Sequence, residues 1–352
     1  MKISEVVAFY PRYPQTLAGW RQGLWQIVVR IESDSGLVGW GYGGGGEASL
    51  PIVNGHFRSL LLGQEIHSTG ELFNLWDQLY KASIPYGRKG IAMMALSGID
   101  LALWDLLGKA EEKPVYEMLG GLRSPDIHTY ATGTDTTWYA ELGYSAHKMP
   151  HRWDPAQPAE AQFRQTEEQL AAARTLFGSE GLLMLDCYMT WDAAVTREMA
   201  QRLQPYDLFW FEDVAMPDQL EEQNMLRDLI KPISLAGGEH EFTHYGFSAL
   251  AQNSALDIWQ PDITWCGGMT ALLRIMELAR QFEIPVVLHR GGEVWGLHAI
   301  ASGGCASLAE VLPGTRDDDY PTLWIDEPQP MHGRILPTDL PGFGVSPNPE
   351  LI

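Results

Sequence analysis

The sequence predicts an α/β fold in which an N-terminal α+β region precedes an eight-stranded, TIM-like (β/α)8 barrel. Two patterns carry this prediction: period-2 alternation near the amino terminus, and a later alternation of short apolar runs with helical stretches. The chain has 352 residues, of which 45% are hydrophobic, so it can build a barrel and one further domain. We divide it into residues 1–124, 125–323 and 324–352.

The first of these regions changes from strands to helices. Alternation over Leu24–Ile31 and a turn signal at Asp34–Gly36 predict antiparallel strands joined by a hairpin. Apolar periodicity predicts helices around Leu72–Leu79 and Ile91–Lys109, and the second is apolar on nearly every face, which is typical of a buried helix. The glycines and proline of Gly120–Pro125 mark the boundary.

In the second region, short apolar runs alternate with helical stretches. This alternation is typical of βαβ units and a parallel sheet, and eight such strands favour a closed barrel over an open sheet. The predicted strands are His128–Thr132, Ala146–Lys148, Leu182–Leu185, Leu208–Phe211, Ile233–Ala236, Asp257–Gln260, Val286–Leu288 and Ser307–Leu312. The predicted helices are Ala156–Phe177, Ala193–Leu203, Gln219–Ile230 and Met269–Phe282. The third region is rich in Pro and Gly and is expected to run back over the first.

Successive apolar runs of the barrel region stop at an ionisable residue. These residues are Lys148, Asp186, Glu212, Glu239, Asp262, His289 and Glu310. A single acid after a strand is more often a helix cap or a solvated loop residue. Repetition in consecutive βα units favours a site instead, because parallel barrel strands deliver their carboxyl ends to one rim, where barrel enzymes assemble their active sites.

Three carboxylates of this rim, Asp186, Glu212 and Glu239, would repel one another without a cation between them. A set of oxygen ligands suits Mg²⁺, which we therefore predict as the cofactor. Zinc would more often recruit the nearby His240 or Cys187, so it ranks second.

The remaining members of the rim predict acid–base chemistry. Asp262 and His289 end adjacent strands, so the carboxylate can fix the imidazole tautomer and raise the basicity of its other nitrogen. This pairing makes His289 a candidate general base. Lys148 offers a cation for a substrate carboxylate, or a base if it is desolvated.

Composition excludes several classes of partner. The 45 acidic residues outnumber the 24 basic ones, and the formal charge of −21 repels nucleic acid and anionic membranes. Three widely spaced cysteines, Cys187, Cys266 and Cys305, fit buried thiols in a reducing compartment. The amino terminus lacks the apolar run of a signal peptide, and no run reaches about 18 apolar residues. We expect a cytoplasmic protein, and exposed aromatic residues among the 13 Trp and 13 Tyr would suit a homo-oligomer.

Motifs along nearly the whole chain resemble the mandelate racemase-like branch of the enolase superfamily, and within it the L-rhamnonate dehydratase family. The matching segments are Asp100–Gly108, Leu119–Gly121, Tyr130–Gly133, Lys148–Pro150, Leu183–Cys187, Gly238–His240, Gln260–Asp262, Trp265–Gly268, Gly333–Ile335 and Pro341–Gly344. The resemblance implies a modified barrel covered by the N-terminal region as a capping domain.

The resemblance also implies roles for individual residues. It makes Asp186, Glu212 and Glu239 the Mg²⁺ ligands. His289, paired with Asp262, becomes the base.

Other site residues follow from the same resemblance. Glu310 would hydrogen-bond the substrate carboxylate or the developing enediolate opposite the metal. Of the capping and rim segments, Trp20, Arg21 and Tyr188 are the expected substrate-binding residues. The implied reaction is an acid-sugar (aldonate) dehydration: loss of the C2 proton and the C3 hydroxyl yields a 2-keto-3-deoxy acid from L-rhamnonate, L-lyxonate or L-mannonate.

Departures from the family concern the substrate. The stretch His289–His298 differs from that of rhamnonate enzymes, and the amino terminus is shorter. Within the superfamily, a racemase, an epimerase or a cycloisomerase is the alternative. Pro150 stands where a racemase carries the second of two lysines, which disfavours two-base racemisation.

Two further alternatives lie outside these reactions. The segment Gly41–Gly46 fits the G-x-G-x-x-G pattern of dinucleotide-binding oxidoreductases, but it follows a hairpin strand and opens no long helix. A catalytically silent sugar- or partner-binding relative would keep the fold, and the intact set of ionisable residues argues against it.

Overall fold

The computed structural model describes residues 1–13, 17, 19–318 and 320–352, and its first part combines an antiparallel sheet with helices. The strands are β1 (Ile3–Phe9), β2 (Ile27–Ser33) and β3 (Val38–Gly43), in the order β1-β2-β3. The helices are α1 (Arg21–Leu24), α2 (Gly46–Pro51), α3 (Arg58–Leu61), α4 (Thr69–Ser83), α5 (Ile91–Ala110) and α6 (Val115–Met118), with a π-helical segment at Ile52–Phe57. The predicted hairpin and two long helices are present, but the strand predicted from Leu24 begins at Ile27, and Leu24 belongs to α1.

Helix α5 lies directly on β3, and glycines allow this approach. A Cβ at Gly41 would lie 2.1 Å from the Gly98 carbonyl oxygen, and one at Gly39 would lie 2.1 Å from the Ala102 carbonyl oxygen. Backbone contact of this kind tolerates no side chain. The helix is long and apolar enough to span a membrane, but 89% of its most apolar window is buried inside the protein. It is the core helix of the N-terminal region.

The Gly41–Gly46 segment lies in a context that does not suit a dinucleotide. It joins a strand of the antiparallel sheet to the six-residue helix α2. A dinucleotide site requires a parallel strand followed by a long helix whose N-terminus faces the pyrophosphate.

The second part of the chain alternates parallel strands and helices, as predicted. The strands are β4 (Ile127–Thr132), β5 (Ala146–Pro150), β6 (Leu182–Asp186), β7 (Trp210–Glu212), β8 (Ser234–Gly237), β9 (Ile258–Trp259) and β10 (Leu308–Val311). They form a sheet of order β10-β4-β5-β6-β7-β8-β9. The helices are α7 (Thr136–Glu141), α8 (Ala159–Phe177), α9 (Ala193–Leu203), α10 (Leu220–Leu229), α11 (Thr243–Gln252), α12 (Gly268–Phe282) and α13 (Val294–Ala301), with a 3₁₀ turn at Gln204–Tyr206.

The predicted strand Val286–Leu288 is wrong as a regular strand. The segment forms isolated bridges instead, pairing Trp259 with Val286 and Asp262 with His289. Pro261 and Pro285 supply no N–H group, so a continuous ladder cannot form here. The Val287 N–H still donates to the Trp259 carbonyl at 2.9 Å, and the Val286 carbonyl accepts from Ala306 at 2.9 Å. The segment therefore occupies the gap between β9 and β10 and closes the barrel.

Alternate side chains of the strands point into the barrel and form its floor. This buried cluster consists of Tyr130, Ala146, Met184, Trp210, Ala236, Ile258 and Val287, with Leu308 packed against it. Because side chains on a strand alternate between its two faces, the residue two positions later on each strand also points inward, one layer closer to the rim.

The C-terminal segment contacts both preceding regions. Its strand β12 (Arg334–Ile335) pairs antiparallel with β4, while β11 (Trp324–Ile325) pairs with β13 (Ser346–Pro347). The Phe343 N–H donates to Asp105 Oδ1 at 2.8 Å, so the segment runs back to helix α5. The N-terminal region and the barrel are thus connected by the tail as well as by direct packing.

We expect the free energy of unfolding to fall as the pH decreases from about 6.5 toward 4. Burial lowers the pKa of His298 to about 3 and that of His151 to about 4. In this window the unfolded chain binds protons that the folded imidazoles exclude, so stability present at neutral pH is lost on acidification. The contribution of His298 is at most about 1.4 kcal/mol per pH unit.

Urea unfolding of the wild type and of His298→Asn over this pH range measures that contribution. Asn retains an acceptor for the Tyr116 N–H, which donates to His298 Nδ1 at 3.1 Å. The variant should show a shallower dependence of stability on pH. Equal slopes for the two proteins would contradict the assignment.

Candidate active site

A polar layer lies directly above the apolar floor of the barrel. Two residues beyond each floor position, the strands carry Thr132, Lys148, Asp186, Glu212, Gly238, Gln260, His289 and Glu310. Asp186 and Glu212 are register partners across β6 and β7. The inward-facing side chains thus change from apolar to polar between one layer and the next, and this makes the rim the chemically active end of the barrel.

A cavity of about 900 Å³ opens above this layer and contains most of the predicted site residues. Those lining it are Trp20, Arg21, Lys148, Asp186, Tyr188, Glu239, His289 and Glu310. The other two lie immediately behind its wall: Asp262 contacts His289, and Glu212 contacts Lys148. The structure thus brings all ten predicted residues to one end of the barrel.

The predicted pair of Asp262 and His289 is present. His289 Nδ1 lies 2.8 Å from Asp262 Oδ2, and His289 Nε2 lies 3.2 Å from Glu239 Oε2. Burial would lower the pKa of His289, but the Glu239 charge and the Asp262 hydrogen bond raise it to about 10. A cation held by the predicted ligand Glu239 would offset the first of these two effects, and the role of base requires this because only a neutral imidazole can accept a proton. Burial would raise the pKa of Asp262, but Arg290 and His289 lower it, so the carboxylate is ionised. Asp262 can therefore hold the imidazole with Nε2 toward the cavity.

Lys148 lies between two buried carboxylates. Its Nζ forms an ion pair with Glu212 Oε1 and lies 2.9 Å from Glu310 Oε1. Burial would lower its pKa, yet Glu212 and Glu310 together raise it well above the ordinary value. Lys148 is therefore a cation, and this charge state favours the first of its two predicted roles over that of a base.

Glu310 is an acceptor in this arrangement. It receives hydrogen bonds from Thr132 Oγ1 at 2.5 Å and from the Arg290 N–H at 2.7 Å. Burial would raise its pKa, but Lys148, His289 and these donors lower it to about 2. An ionised carboxylate accepts hydrogen bonds and donates none. Glu310 is thus suited to hold Lys148 and a substrate hydroxyl rather than to donate to a substrate carboxylate.

Carboxylates crowd the part of the rim where the metal ligands are predicted. Burial, together with Asp186, Glu310 and Glu239, raises the pKa of Glu212 to about 7 against the opposing charge of Lys148. Burial and Glu239 likewise raise the pKa of Asp186. A bound divalent cation relieves such repulsion between oxygen ligands.

The tightest cluster of potential ligands differs from the predicted set. In the described part of the chain, a ligand atom from each of Asp213, Glu239 and His240 lies within 4.8 Å of the others. Glu212 stands apart because its Oε2 accepts from Trp210 Nε1 at 3.0 Å and Gln260 Nε2 at 2.6 Å. Asp213 is the next residue on the chain, so the second ligand position has two carboxylate candidates.

Aromatic residues form the outer wall of the cavity. The Arg21 guanidinium lies 4.7 Å from the Trp25 ring, and Arg152 lies 4.1 Å from the Tyr188 ring. Trp20 and Trp265 meet edge to face, with ring centroids 6.2 Å apart. The N-terminal region therefore contributes a wall opposite the polar rim.

Some residues of this site carried no prediction. Thr132 and Gln260 occupy strand ends in the same layer as the predicted residues, so extending the strand-end pattern to neutral polar residues identifies them. Thr264, Arg290 and Gln26 have no comparable signal. They approach Asp262 through loops and through the N-terminal region, which sequence spacing does not reveal.

Comparisons with known proteins agree with this architecture. Residues 7–120 match the family described as mandelate racemase / muconate lactonizing enzyme, N-terminal domain, and residues 135–351 match the family described as enolase C-terminal domain-like. A protein of Caldivirga maquilingensis, provisionally named an L-rhamnonate dehydratase, is 36% identical over 99% of this chain and 88% of its own length.

Solved structures extend the similarity. L-rhamnonate dehydratase from Gibberella zeae has a TM-score of 0.89 and 31% identity, covering 100% of this chain and 96% of its own. A structure of rhamnonate dehydratase from the same organism complexed with Mg matches equally well, with a TM-score of 0.89 and 30% identity over 100% and 96% of the two chains.

A third relative carries out a different reaction. The 3,6-anhydro-D-galactonate cycloisomerase from Zobellia galactanivorans has a TM-score of 0.84 and 28% identity over 99% of this chain and 98% of its own. The predicted modified barrel and the predicted membership of the enolase superfamily are confirmed, and the expected enzyme class, a lyase, agrees with the dehydratases among these relatives. The chain belongs to the enolase superfamily, with the two domains of its mandelate racemase-like branch.

Proposed function

We propose that this chain is a Mg²⁺-dependent acid-sugar dehydratase, a carbon–oxygen lyase. The observation that carries the proposal is the Asp262–His289 pair: the imidazole nitrogen that does not contact Asp262, Nε2, faces the carboxylate rim, which also holds the buried cation Lys148. This arrangement suits removal of a proton next to a carboxylate. The dehydratases among the relatives, including one complexed with Mg, support the same reaction.

The residues present fit a hard divalent cation. Asp186, Glu212 and Glu239 are the proposed ligands, and they offer oxygen atoms in a crowded acidic environment, which is the donor set that Mg²⁺ prefers. When bound, the cation supplies positive charge toward the substrate carboxylate and the negative charge that develops on it.

The protein side chains then carry out the proton transfers. His289 Nε2 takes the C2 proton while Asp262 stabilises the imidazolium that forms. Lys148 stabilises the developing negative charge, and Glu310 orients Lys148 and accepts a hydrogen bond from a substrate hydroxyl. Protonated His289 returns its proton to the departing C3 hydroxyl, which leaves as water. The resulting enol becomes a 2-keto-3-deoxy acid.

The proposed substrate is a small acid sugar, with L-rhamnonate first and L-lyxonate or L-mannonate as close relatives. These acids share the configuration near the reacting carbons and differ at the distal end. Trp20, Arg21 and Tyr188 line the outer cavity and are the proposed contacts for that end. Pro150, which lies on β5 two residues after Lys148, leaves no second lysine for a two-base racemase.

The proposal extends to organisation and location. We retain the division into a capping domain (1–124), a catalytic barrel (125–323) and a returning segment (324–352). The three cysteines are free thiols, which supports a cytoplasmic location. We propose a homo-oligomer without nucleic-acid or membrane partners.

A panel of acid sugars tests this function directly. Purified protein with Mg²⁺ should convert at least one C2/C3-matched aldonate to a product that reacts as a 2-keto-3-deoxy acid with semicarbazide. EDTA should abolish product formation, and excess Mg²⁺ should restore it, because the carboxylate rim would otherwise repel the substrate anion. Turnover that is indifferent to chelation, or binding of aldonates without any keto acid, would contradict the proposal.

A further inference from the structure

Arg290, the residue directly after the proposed base, is a buried arginine at the centre of the site. It is 3% exposed and adopts a left-handed backbone conformation with φ of 51°. Left-handed φ is uncommon for a non-glycine residue, and burial of a guanidinium is costly unless it is paired. Both features call for strong compensating contacts.

The first set of contacts holds Asp262. Arg290 Nε lies 3.0 Å from Asp262 Oδ2, the same oxygen that contacts His289 Nδ1 at 2.8 Å. Arg290 Nη2 lies 3.4 Å from Asp262 Oδ1 and donates to Thr264 Oγ1. Thr264 in turn donates to Asp262 Oδ1 from both its N–H and its hydroxyl, each at 2.7 Å. Asp262 is thus fixed at both oxygens.

The second contact holds Glu310. The Arg290 N–H donates to Glu310 Oε2 at 2.7 Å, so one residue is bonded to the carboxylate behind the base and to the carboxylate that orients Lys148. The left-handed backbone makes this possible, because it turns the N–H and the side chain toward different partners.

The third set of contacts ties this assembly to the capping region. The guanidinium carbon lies 5.3 Å from the Trp25 ring centroid and 5.5 Å from that of Trp265, which places the cation against two aromatic rings. Gln26 donates to Thr264 Oγ1 at 2.8 Å and accepts from Trp265 Nε1 at 3.1 Å. Docking of the capping region and placement of Asp262 are therefore linked.

We propose that Arg290 is a positioning residue for the proton-transfer pair: it fixes Asp262, and through Asp262 the direction in which His289 Nε2 points. This inference rests on the proposed function. Arg290 has no role in moving the proton, because its own donors are occupied by Asp262, Thr264, Glu310 and, at 3.4 Å, Glu293. Without it, Asp262 loses its charged partner at Oδ2 and the longer contact at Oδ1, and the imidazole loses its fixed orientation.

The kinetic test compares Arg290→Met with Arg280→Met, a matched change at an exposed arginine paired with Glu277 on helix α12. We expect kcat of Arg290→Met to fall about 100-fold with KM changed less than threefold, since misplacement of a base affects the chemical step. Arg280→Met should match the wild type. A kcat within threefold of wild type, or a loss confined to KM, would overturn the proposal.

Rescue separates positioning from a general loss of structure. Arg290→Gly suits the left-handed backbone and opens a space beside the cavity. Added guanidinium should therefore raise the activity of this variant at least tenfold, whereas ammonium should not. Arg290→Lys retains the buried charge and should lie between the wild type and Arg290→Met. If guanidinium gives no rescue in a folded Arg290→Gly protein, Arg290 acts only in folding and the proposal fails.

A measurement without turnover keeps the proposal independent of the reaction. In histidine labelled with ¹⁵N, the Nδ1 proton shared with Asp262 should give a low-field NMR signal that is absent from His289→Asn. We expect Arg290→Met to lose or broaden this signal while Arg280→Met keeps it. An unchanged signal would overturn the proposal even if no substrate were found, whereas a lost signal with an inactive wild type would count only against the proposed function.

Discussion

Replacement of His289 by Asn is expected to abolish formation of 2-keto-3-deoxy acid, with kcat reduced at least about 1,000-fold. Asn carries a side-chain N–H donor at nearly the same position and can still donate to Asp262 Oδ2, which lies 2.8 Å from His289 Nδ1. It provides no group that takes a proton from carbon. If protonated His289 also assists departure of the C3 hydroxyl, both halves of the reaction are lost together.

Two measurements define this result. The first is keto-acid formation from the best acid sugar of the panel, and the second is exchange of the C2 hydrogen with ²H₂O, which reports proton removal without elimination. His128→Asn is the matched control, because His128 lies on β4 and its side chain is 45% exposed near Asp126. Exchange that persists at the wild-type rate in His289→Asn would transfer the role of base to another residue.

Much of the barrel could be predicted because its pattern is local. Short apolar runs separated by helices specify parallel strands, and the ionisable residue after each run specifies the rim. Asp186 and Glu212 are register partners, as neighbouring strand ends should be. The wrong prediction of a regular strand at Val286–Leu288 also has a physical reason. The prolines that interrupt its hydrogen-bond ladder are visible in the sequence, but the way the segment still closes the barrel depends on neighbouring strands.

The remainder of the site depends on contacts across the fold. The protonated state of Lys148 follows from two carboxylates contributed by β7 and β10, 64 and 162 positions further along the chain. The link from Gln26 to Thr264 spans 238 positions and joins two domains. No spacing rule in one sequence encodes such pairs, so residue type alone left the role of Lys148 open.

The acidic composition acquires a different meaning once the residues are located. A charge of −21 should repel an acid-sugar substrate. The cavity, however, collects cations: Arg21, Lys148, Arg152 and Arg290 line it alongside Asp186, Glu239 and Glu310. A divalent cation among the carboxylates would make this pocket positive overall, so an acidic protein can still bind an anion.

Glu212→Gln is the second change with a large expected effect, and it decides which carboxylate completes the metal site. Gln keeps the size and the hydrogen-bonding capacity of the side chain but removes its charge. We expect Mg²⁺ affinity to fall at least about tenfold and kcat/KM at least about 1,000-fold, because a ligand and the partner of Lys148 are lost together.

Asp213→Asn is the discriminating control, since Asp213 clusters with Glu239 and His240 on the same rim. Glu212 is the better candidate because it points into the barrel beside its register partner Asp186 and is 1% exposed. Asp213 instead has a left-handed backbone conformation, with φ of 45°, and lines a separate cavity with Leu235 and Leu256. Calorimetric titration with Mg²⁺ should therefore show weakened binding by Glu212→Gln, and an affinity of Asp213→Asn that differs from the wild type by less than tenfold. The reverse order would assign the second ligand position to Asp213 and leave Glu212 as the partner of Lys148.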